Sequence, residues 1–141
     1  MDAVFTYGTL EIPAIMEAVT GQRFSFAEGT AENFSCFLLH DRIYPGMIAA
    51  TGKATPGKIY LEVDSQAIQL LDHFEDPIYQ RKLIAVQNPL EENVVTAYAY
   101  IIPQTERAVL SNDPWDREHF LDHYYDEYLQ RCRIFYQRMT A

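Results

Sequence analysis

Glu75 is the residue of this chain whose surroundings best suit proton-transfer chemistry. Ile68, Leu71 and Glu75 are spaced three and four positions apart, so in a helix they lie along one face. A carboxylate that ends an apolar stripe is partly desolvated, which raises its pKa towards the range where it both accepts and returns a proton near neutral pH. The sequence alone leaves the more common alternative open, in which a glutamate at a helix end meets water.

A second candidate is the loop Tyr7-Gly8-Thr9-Leu10. It lies between a predicted strand and a predicted helix, and its glycine allows backbone N–H groups to turn towards a ligand. A carboxylate or carbonyl oxygen is the group such a loop can bind. A simple strand-to-helix turn is the alternative. The loop is not a P-loop, because it lacks the second glycine and the Gly-Lys-Ser/Thr ending.

Other reactive side chains give weaker signals. His119 and His123 stand four apart, which is a metal-binding spacing, but no third or fourth ligand is evident and we expect a solvated helix face. We predict neither a metal nor a cofactor. No serine lies in a Gly-x-Ser-x-Gly elbow and no cysteine has a nucleophile signature, which argues against a covalent hydrolase. Cys36 and Cys132 form no CxxC motif, so we expect two reduced thiols.

The elements that position the two candidates follow from local patterns. Residues 3–7 predict a buried strand, and Pro13 and Gly21 suit the first turn and the end of a helix. Residues 23–60 predict several antiparallel strands. Three dipeptides in that region are interpreted as turns, namely Glu28-Gly29, Pro45-Gly46 and Pro56-Gly57.

The second half of the chain begins with a predicted helix over residues 65–74, capped by Asp64 or Ser65 and ended by Pro77. Strands are predicted over residues 82–86 and 94–102, joined as a hairpin. A long last helix is predicted from Asp113 to about Met139, because Asp-Pro-Trp-Asp combines a capping carboxylate with a first-turn proline. Its aromatic face is predicted to pack in the core or against another subunit, with an aromatic ligand site as the alternative. The residues of this face are Trp115, Phe120, Tyr124, Tyr125, Tyr128 and Leu129.

This order of elements predicts an α+β fold rather than a doubly wound sheet, because helices do not alternate regularly with strands. We expect a small, mostly antiparallel sheet or barrel flanked by helices and closed by a long C-terminal helix. The 141 residues suffice for one core. We therefore predict a single domain over residues 1–141.

Composition restricts the partners. The chain has 11 basic and 20 acidic residues, for a net charge of −9, which disfavours nucleic acid and anionic membrane surfaces. No stretch resembles a secretory leader or a membrane span. We expect a cytoplasmic protein that binds a small molecule and is a monomer or homodimer.

Three segments together resemble the gamma-glutamylcyclotransferase superfamily. They are VFTYGTL near the start, YPGM at residues 44–47, and LDHFEDPIYQRKLIAV at residues 71–86. The Asp-rich turn before Trp115 and the long terminal helix are similar to the branch named after plant avirulence-induced genes. The resemblance covers most of the chain.

Carried over motif by motif, the resemblance implies that Glu75 is the catalytic acid/base and that Tyr7, Gly8, Thr9 and Leu10 form the substrate-binding loop. It places Tyr79, Arg81 and Tyr100 at further substrate-binding positions. We expect Glu75 and the loop to face one cavity, with the pKa of Glu75 raised and partly lowered again by a hydrogen bond from Tyr79. Many members have Gly after the glutamate, whereas this chain has Asp76, which puts the substrate preference in question.

The implied reaction is the cyclisation of a gamma-glutamyl amine or gamma-glutamyl amino acid to 5-oxoproline, with release of the free amine. The acid/base glutamate and the intact loop favour an enzyme. The alternative is a non-catalytic domain that keeps the fold and the pocket and binds a small molecule or a partner.

Overall fold

The computed structural model describes residues Met1 to Ala141 and contains five strands and four α-helices. The strands are β1 (Asp2–Thr6), β2 (Phe26–Leu38), β3 (Pro45–Val63), β4 (Gln80–Asn88) and β5 (Asn93–Ile101). The helices are α1 (Pro13–Thr20), α2 (Ser65–Phe74), α3 (Arg117–His123) and α4 (Tyr125–Thr140). Short 3₁₀ turns cover Thr9–Glu11 and Gln104–Val109.

The five strands close into a barrel in the order β1-β3-β2-β4-β5. The long β2–β3 and β4–β5 hairpins are antiparallel, and β5 closes the barrel by pairing in parallel with β1 at Val4 and Tyr98. Alternate strand residues point inwards and form a core of Phe5, Ala31, Met47, Ile59, Val86, Ala97, Ala99 and Ile101. The predicted α+β class with a mostly antiparallel barrel is confirmed.

All three predicted turns are wrong as placed, because Glu28-Gly29 and Pro56-Gly57 lie inside β2 and β3, and Pro45-Gly46 forms the first two residues of β3. Gly29 and Gly57 are directly paired across these strands. A Cβ atom on Gly57 would lie 2.1 Å from the main-chain oxygen of Thr6 in β1. These glycines therefore allow close approach of neighbouring barrel elements rather than a reversal of the chain.

The first two helices begin and end as their sequences predict. Gly21 ends α1 in the left-handed conformation, with φ of 73°, and Asp64 caps α2 by accepting a hydrogen bond from the Ala67 N–H at 2.8 Å. The last residue of α2 is Phe74, so Glu75 is the first residue after the helix.

The predicted long C-terminal helix is confirmed as α4, but its predicted start near Asp113 is wrong. Asn112 and Asp113 form a bend, and the Asp113 carbonyl accepts from the Leu38 N–H at 2.9 Å, which ties this segment to the end of β2. Trp115 Nε1 donates to the Ile43 carbonyl at 2.9 Å. The helix cap is Asp116 instead, and the backbone at Tyr124 leaves helical geometry and separates α3 from α4.

The four helices pack on the outside of the barrel around a second core. Phe120 of α3 is 1% exposed, and Trp115, Tyr125 and Tyr128 pack against the same cluster, which confirms the predicted aromatic face. Tyr124 departs from that prediction, because it is 37% exposed. None of the helices combines the length and apolar character needed to cross a membrane.

Candidate active site

A cavity of about 440 Å³ lies where β1 ends, where α2 ends and where α4 passes over both. The loop Tyr7–Leu10, Glu75, Tyr79 and Tyr100 all line it. This volume is in the range of small-molecule sites. The sequence-predicted residues therefore come together at one cavity, with Arg81 as the exception.

Glu75 borders this cavity without a partner in the protein. The residue is half-buried, and it forms neither a hydrogen bond nor an ion pair through its carboxylate. Burial raises the pKa of Glu75 to about 8, and the negative charges of Asp76 and Asp72 contribute in the same direction. Such a carboxyl group is suited to moving a proton near neutral pH.

The loop beside Glu75 offers backbone donors. Gly8 is buried, and a Cβ atom there would lie 2.8 Å from the ring atoms Cγ and Cδ of Pro45. Glycine therefore lets the loop lie directly against the start of β3. The Gly8 carbonyl accepts from the Glu11 N–H at 3.0 Å, whereas the N–H groups that begin such a turn have no partner within it. The arrangement can bind an oxygen atom of a ligand.

Two tyrosines hold the barrel side of the cavity. The Tyr7 hydroxyl donates to the Tyr100 carbonyl at 2.5 Å and accepts from the Met47 N–H at 3.1 Å. The Tyr79 hydroxyl donates to the Pro45 carbonyl. The expected hydrogen bond from Tyr79 to Glu75 is therefore wrong, because this hydroxyl is already engaged by the main chain. Tyr79 shapes the cavity wall and leaves the Glu75 carboxylate free.

Arg81 lies outside the main cavity. Its Nε donates to Asp72 Oδ1 at 2.8 Å, and its guanidinium lies 4.4 Å from the centre of the Tyr98 ring. Tyr100 donates its hydroxyl to the same Asp72 oxygen at 2.7 Å. Arg81 lines a shallower neighbouring depression that shares Glu75 with the main cavity. The arginine therefore orders Asp72 beside the site and does not enter the cavity.

Asp76, the residue that departs from the family pattern, is held by the chain around it. One carboxylate oxygen accepts from the Tyr44 hydroxyl at 3.0 Å and lies 3.6 Å from Arg42 Nε. The other accepts from the Ile78 N–H at 3.2 Å. These contacts fix Asp76 next to Glu75, where its negative charge raises the pKa of that carboxyl group.

Sequence reasoning missed the wall that α4 contributes. Tyr128, Arg131 and Cys132 line the cavity, and the Tyr128 hydroxyl lies 3.0 Å from Thr9 Oγ1. Tyr128 also packs edge-on against Phe74. Its helical spacing favours packing, with an aromatic ligand site as the alternative. The path of α4 over the barrel depends on long-range contacts that no local pattern reveals.

The remaining candidates stay apart from this cavity or lack reactivity. The His119 and His123 rings are 4.4 Å apart on α3, and the structure contains no group of three or more His, Cys, Asp and Glu side chains that could hold a metal ion. Cys36 and Cys132 are free thiols. Burial raises the pKa of each to about 12, which opposes formation of the nucleophilic thiolate.

The barrel, the glycine loop and the glutamate after α2 define a protein of the gamma-glutamylcyclotransferase-like fold. Residues 4–117 match the family model described as gamma-glutamyl cyclotransferase, AIG2-like. The chain belongs to this family.

Three relatives show how far the likeness extends. AIG2-like protein C of Arabidopsis thaliana is 24% identical over 133 residues, which are 94% of this chain and 76% of the relative. AIG2-like protein D of the same plant is 29% identical over 86 residues, or 61% of this chain, and the match spans little over half of that relative, 57%. The crystal structure of an AIG2-like protein from Mus musculus superposes with a TM-score of 0.65 at 26% identity, covering 82% of this chain and 88% of the mouse chain.

Proposed function

We propose that this protein cyclises gamma-glutamyl compounds to 5-oxoproline and releases the amine that was bound to the gamma-carbonyl group. The observation that carries the proposal is the unpartnered, half-buried Glu75, which shares one cavity with the Gly8–Leu10 backbone. Membership of the gamma-glutamyl cyclotransferase, AIG2-like family supports it.

In the proposed reaction Glu75 acts first as a base. The α-ammonium group of the substrate lies beside the carboxylate and favours its ionised form, so the carboxylate can accept a proton from that ammonium. The resulting amine attacks the gamma-carbonyl carbon, a new C–N bond forms, and the carbonyl oxygen becomes an oxyanion. Confinement in a cyclising conformation provides an effective molarity of about 10⁵–10⁸ M for such an attack.

Glu75 then acts as an acid. Glu75 returns its proton to the leaving nitrogen, the tetrahedral intermediate collapses, and the bond between the gamma-carbon and that nitrogen breaks. The ring nitrogen still carries one proton more than the product, and it passes this proton to the released amine. Backbone N–H groups of Gly8–Leu10 are the proposed donors to the α-carboxylate or to the oxyanion, and removal of one such donor costs on the order of 10²–10³-fold in other enzymes. All steps use side chains and backbone groups of this chain.

A substrate screen tests the proposal. Purified protein is incubated with gamma-glutamyl amino acids, gamma-glutamyl alkylamines and the ε-linked gamma-glutamyl lysine isopeptide, and 5-oxoproline is measured by mass spectrometry. We expect release from at least one of these classes. Binding of such compounds without release from any of them would support a non-catalytic binding domain instead.

A further inference from the structure

The cavity has a single lysine or arginine side chain in its lining, Arg131 of α4. We propose that Arg131 selects substrates whose leaving amine carries a carboxylate, as in a gamma-glutamyl amino acid or peptide. This inference rests on the proposed function and adds the chemical class of the leaving group.

Other cations near the site are already paired with aspartates. Arg81 is bonded to Asp72 at 2.8 Å, and Arg42 lies 3.6 Å from Asp76. Neither arginine lines the main cavity. Arg131 is therefore the one guanidinium in the cavity lining, and its partner is an exposed glutamate rather than an aspartate beside the site.

The partner of Arg131 is one that a ligand can replace. Arg131 Nη2 lies 2.9 Å from Glu127 Oε1 one helical turn away, and the two side chains are 69% and 76% exposed. Exposed pairs at this spacing contribute little to stability and are screened by salt. A substrate carboxylate at the cavity offers the same guanidinium a competing and geometrically matched partner.

The difference in burial along the cavity determines which end of the substrate lies at which end of the cavity. Thr9 and Leu10 of the loop are 6% and 5% exposed, whereas Arg131 lies at the rim of the cavity. The gamma-glutamyl end, which must reach both Glu75 and the loop, therefore occupies the buried end. The leaving amine extends towards the rim, where His73 is the other basic side chain in the lining and bonds the Gln69 carbonyl through Nδ1.

The position of Arg131 in the chain separates it from the residues matched by the family. The family match ends at residue 117, before α4 begins. The reacting groups thus come from the matched segment, and the cationic rim comes from the segment that follows it. Leaving-group preference is set by a different part of the chain from the proton transfer.

The test compares two substrates that differ only in the leaving-group carboxylate, a gamma-glutamyl amino acid and the corresponding gamma-glutamyl alkylamine. Arg131→Gln is expected to raise KM for the amino acid derivative by about 5- to 10-fold, as for loss of a charged hydrogen bond at a partly exposed site. The kcat of Arg131→Gln for the amino acid derivative should not change, and neither should its KM for the alkylamine. Arg131→Lys should keep part of the preference. Arg133→Gln, which changes an exposed arginine outside the lining of this cavity, is the matched control.

Equal losses for both substrates, or no loss for either, would overturn the assignment. Binding of the two compounds is measured by calorimetry as well, in wild type and in Arg131→Gln. A wild type without turnover that still binds the amino acid derivative more tightly, and loses that preference in Arg131→Gln, would reject the proposed function and keep the carboxylate site. A wild type with turnover but no carboxylate preference would keep the proposed function and reject the carboxylate site. A wild type that binds neither compound would overturn both.

Discussion

Glu11 and Glu75 are both half-buried glutamates, and burial raises the pKa of each. Around Glu11 two cations oppose that effect, with Lys58 Nζ at 3.8 Å and Arg117 Nη1 at 3.4 Å from one carboxylate oxygen. Around Glu75 the neighbouring charges are negative and reinforce it. The ion pairs of Glu11 thus join β3 to the start of α3. The Glu75 carboxyl group has no such partner and can exchange a proton with a ligand.

The largest expected effect of this difference is on turnover. Glu75→Gln keeps the size of the side chain but removes proton transfer, so 5-oxoproline release should fall by about 10²-fold or more. Substrate should still bind, as measured by calorimetry. An active wild type whose Gln variant retains full turnover would contradict the role of Glu75 as acid/base.

A second consequence is a pH-dependent cost in stability. The pKa of Glu75 is raised in the folded protein. The protonated carboxyl group therefore contributes fully to the free energy of unfolding below about pH 4.5, and this contribution is lost as the pH rises towards about 8. Glu75→Gln lacks this pH dependence. As the pH rises, its free energy of unfolding should increase relative to that of wild type, by up to about 1.4 kcal/mol for each unit by which the pKa of Glu75 differs between the folded and unfolded states.

This is measured by urea unfolding of both proteins at about pH 5 and about pH 8, within the interval in which linkage acts. Glu91→Gln, at an exposed turn, is the control and should follow wild type. A constant difference between Glu75→Gln and wild type across the interval would show that burial does not tune this carboxyl group.

Glu11→Gln tests the other member of the pair. It leaves the Lys58 ammonium, whose side chain is 11% exposed, without its anion, and we expect the free energy of unfolding to fall by about 1–3 kcal/mol. Turnover of the folded protein should be kept. A variant as stable as wild type but without turnover would mean that Glu11 acts in the chemistry rather than in the fold.

The sequence predicts only part of the difference between the paired Glu11 and the unpaired Glu75. Capping by Asp64 and the apolar spacing that ends at Glu75 are local, so α2 and its end were predicted correctly. The cations around Glu11 come from β3 and α3, and no local pattern brings them together. The C-terminal helix exists as predicted, but its start is misplaced, because the Asp113 carbonyl bonds β2 and Asp116 caps the helix instead.

The smallest expected effect is that of Arg81→Lys. Arg81 pairs with Asp72 outside the main cavity, so the loss of one partly exposed bond should cost less than about 1 kcal/mol of unfolding free energy. Turnover should stay close to that of wild type in the 5-oxoproline assay. A loss as large as that of Glu75→Gln would place Arg81 at the reacting atoms instead.

The most direct measurement is an NMR titration of the side-chain carboxyl carbons in the unliganded protein, with Glu75 and Glu11 assigned through their Gln variants. We predict that Glu75 titrates well above the ordinary value of 4.5, towards about 8, and above Glu11. Titration of Glu75 at or below 4.5, or below Glu11, would contradict the claim that the protein keeps this carboxyl group uncompensated for proton transfer.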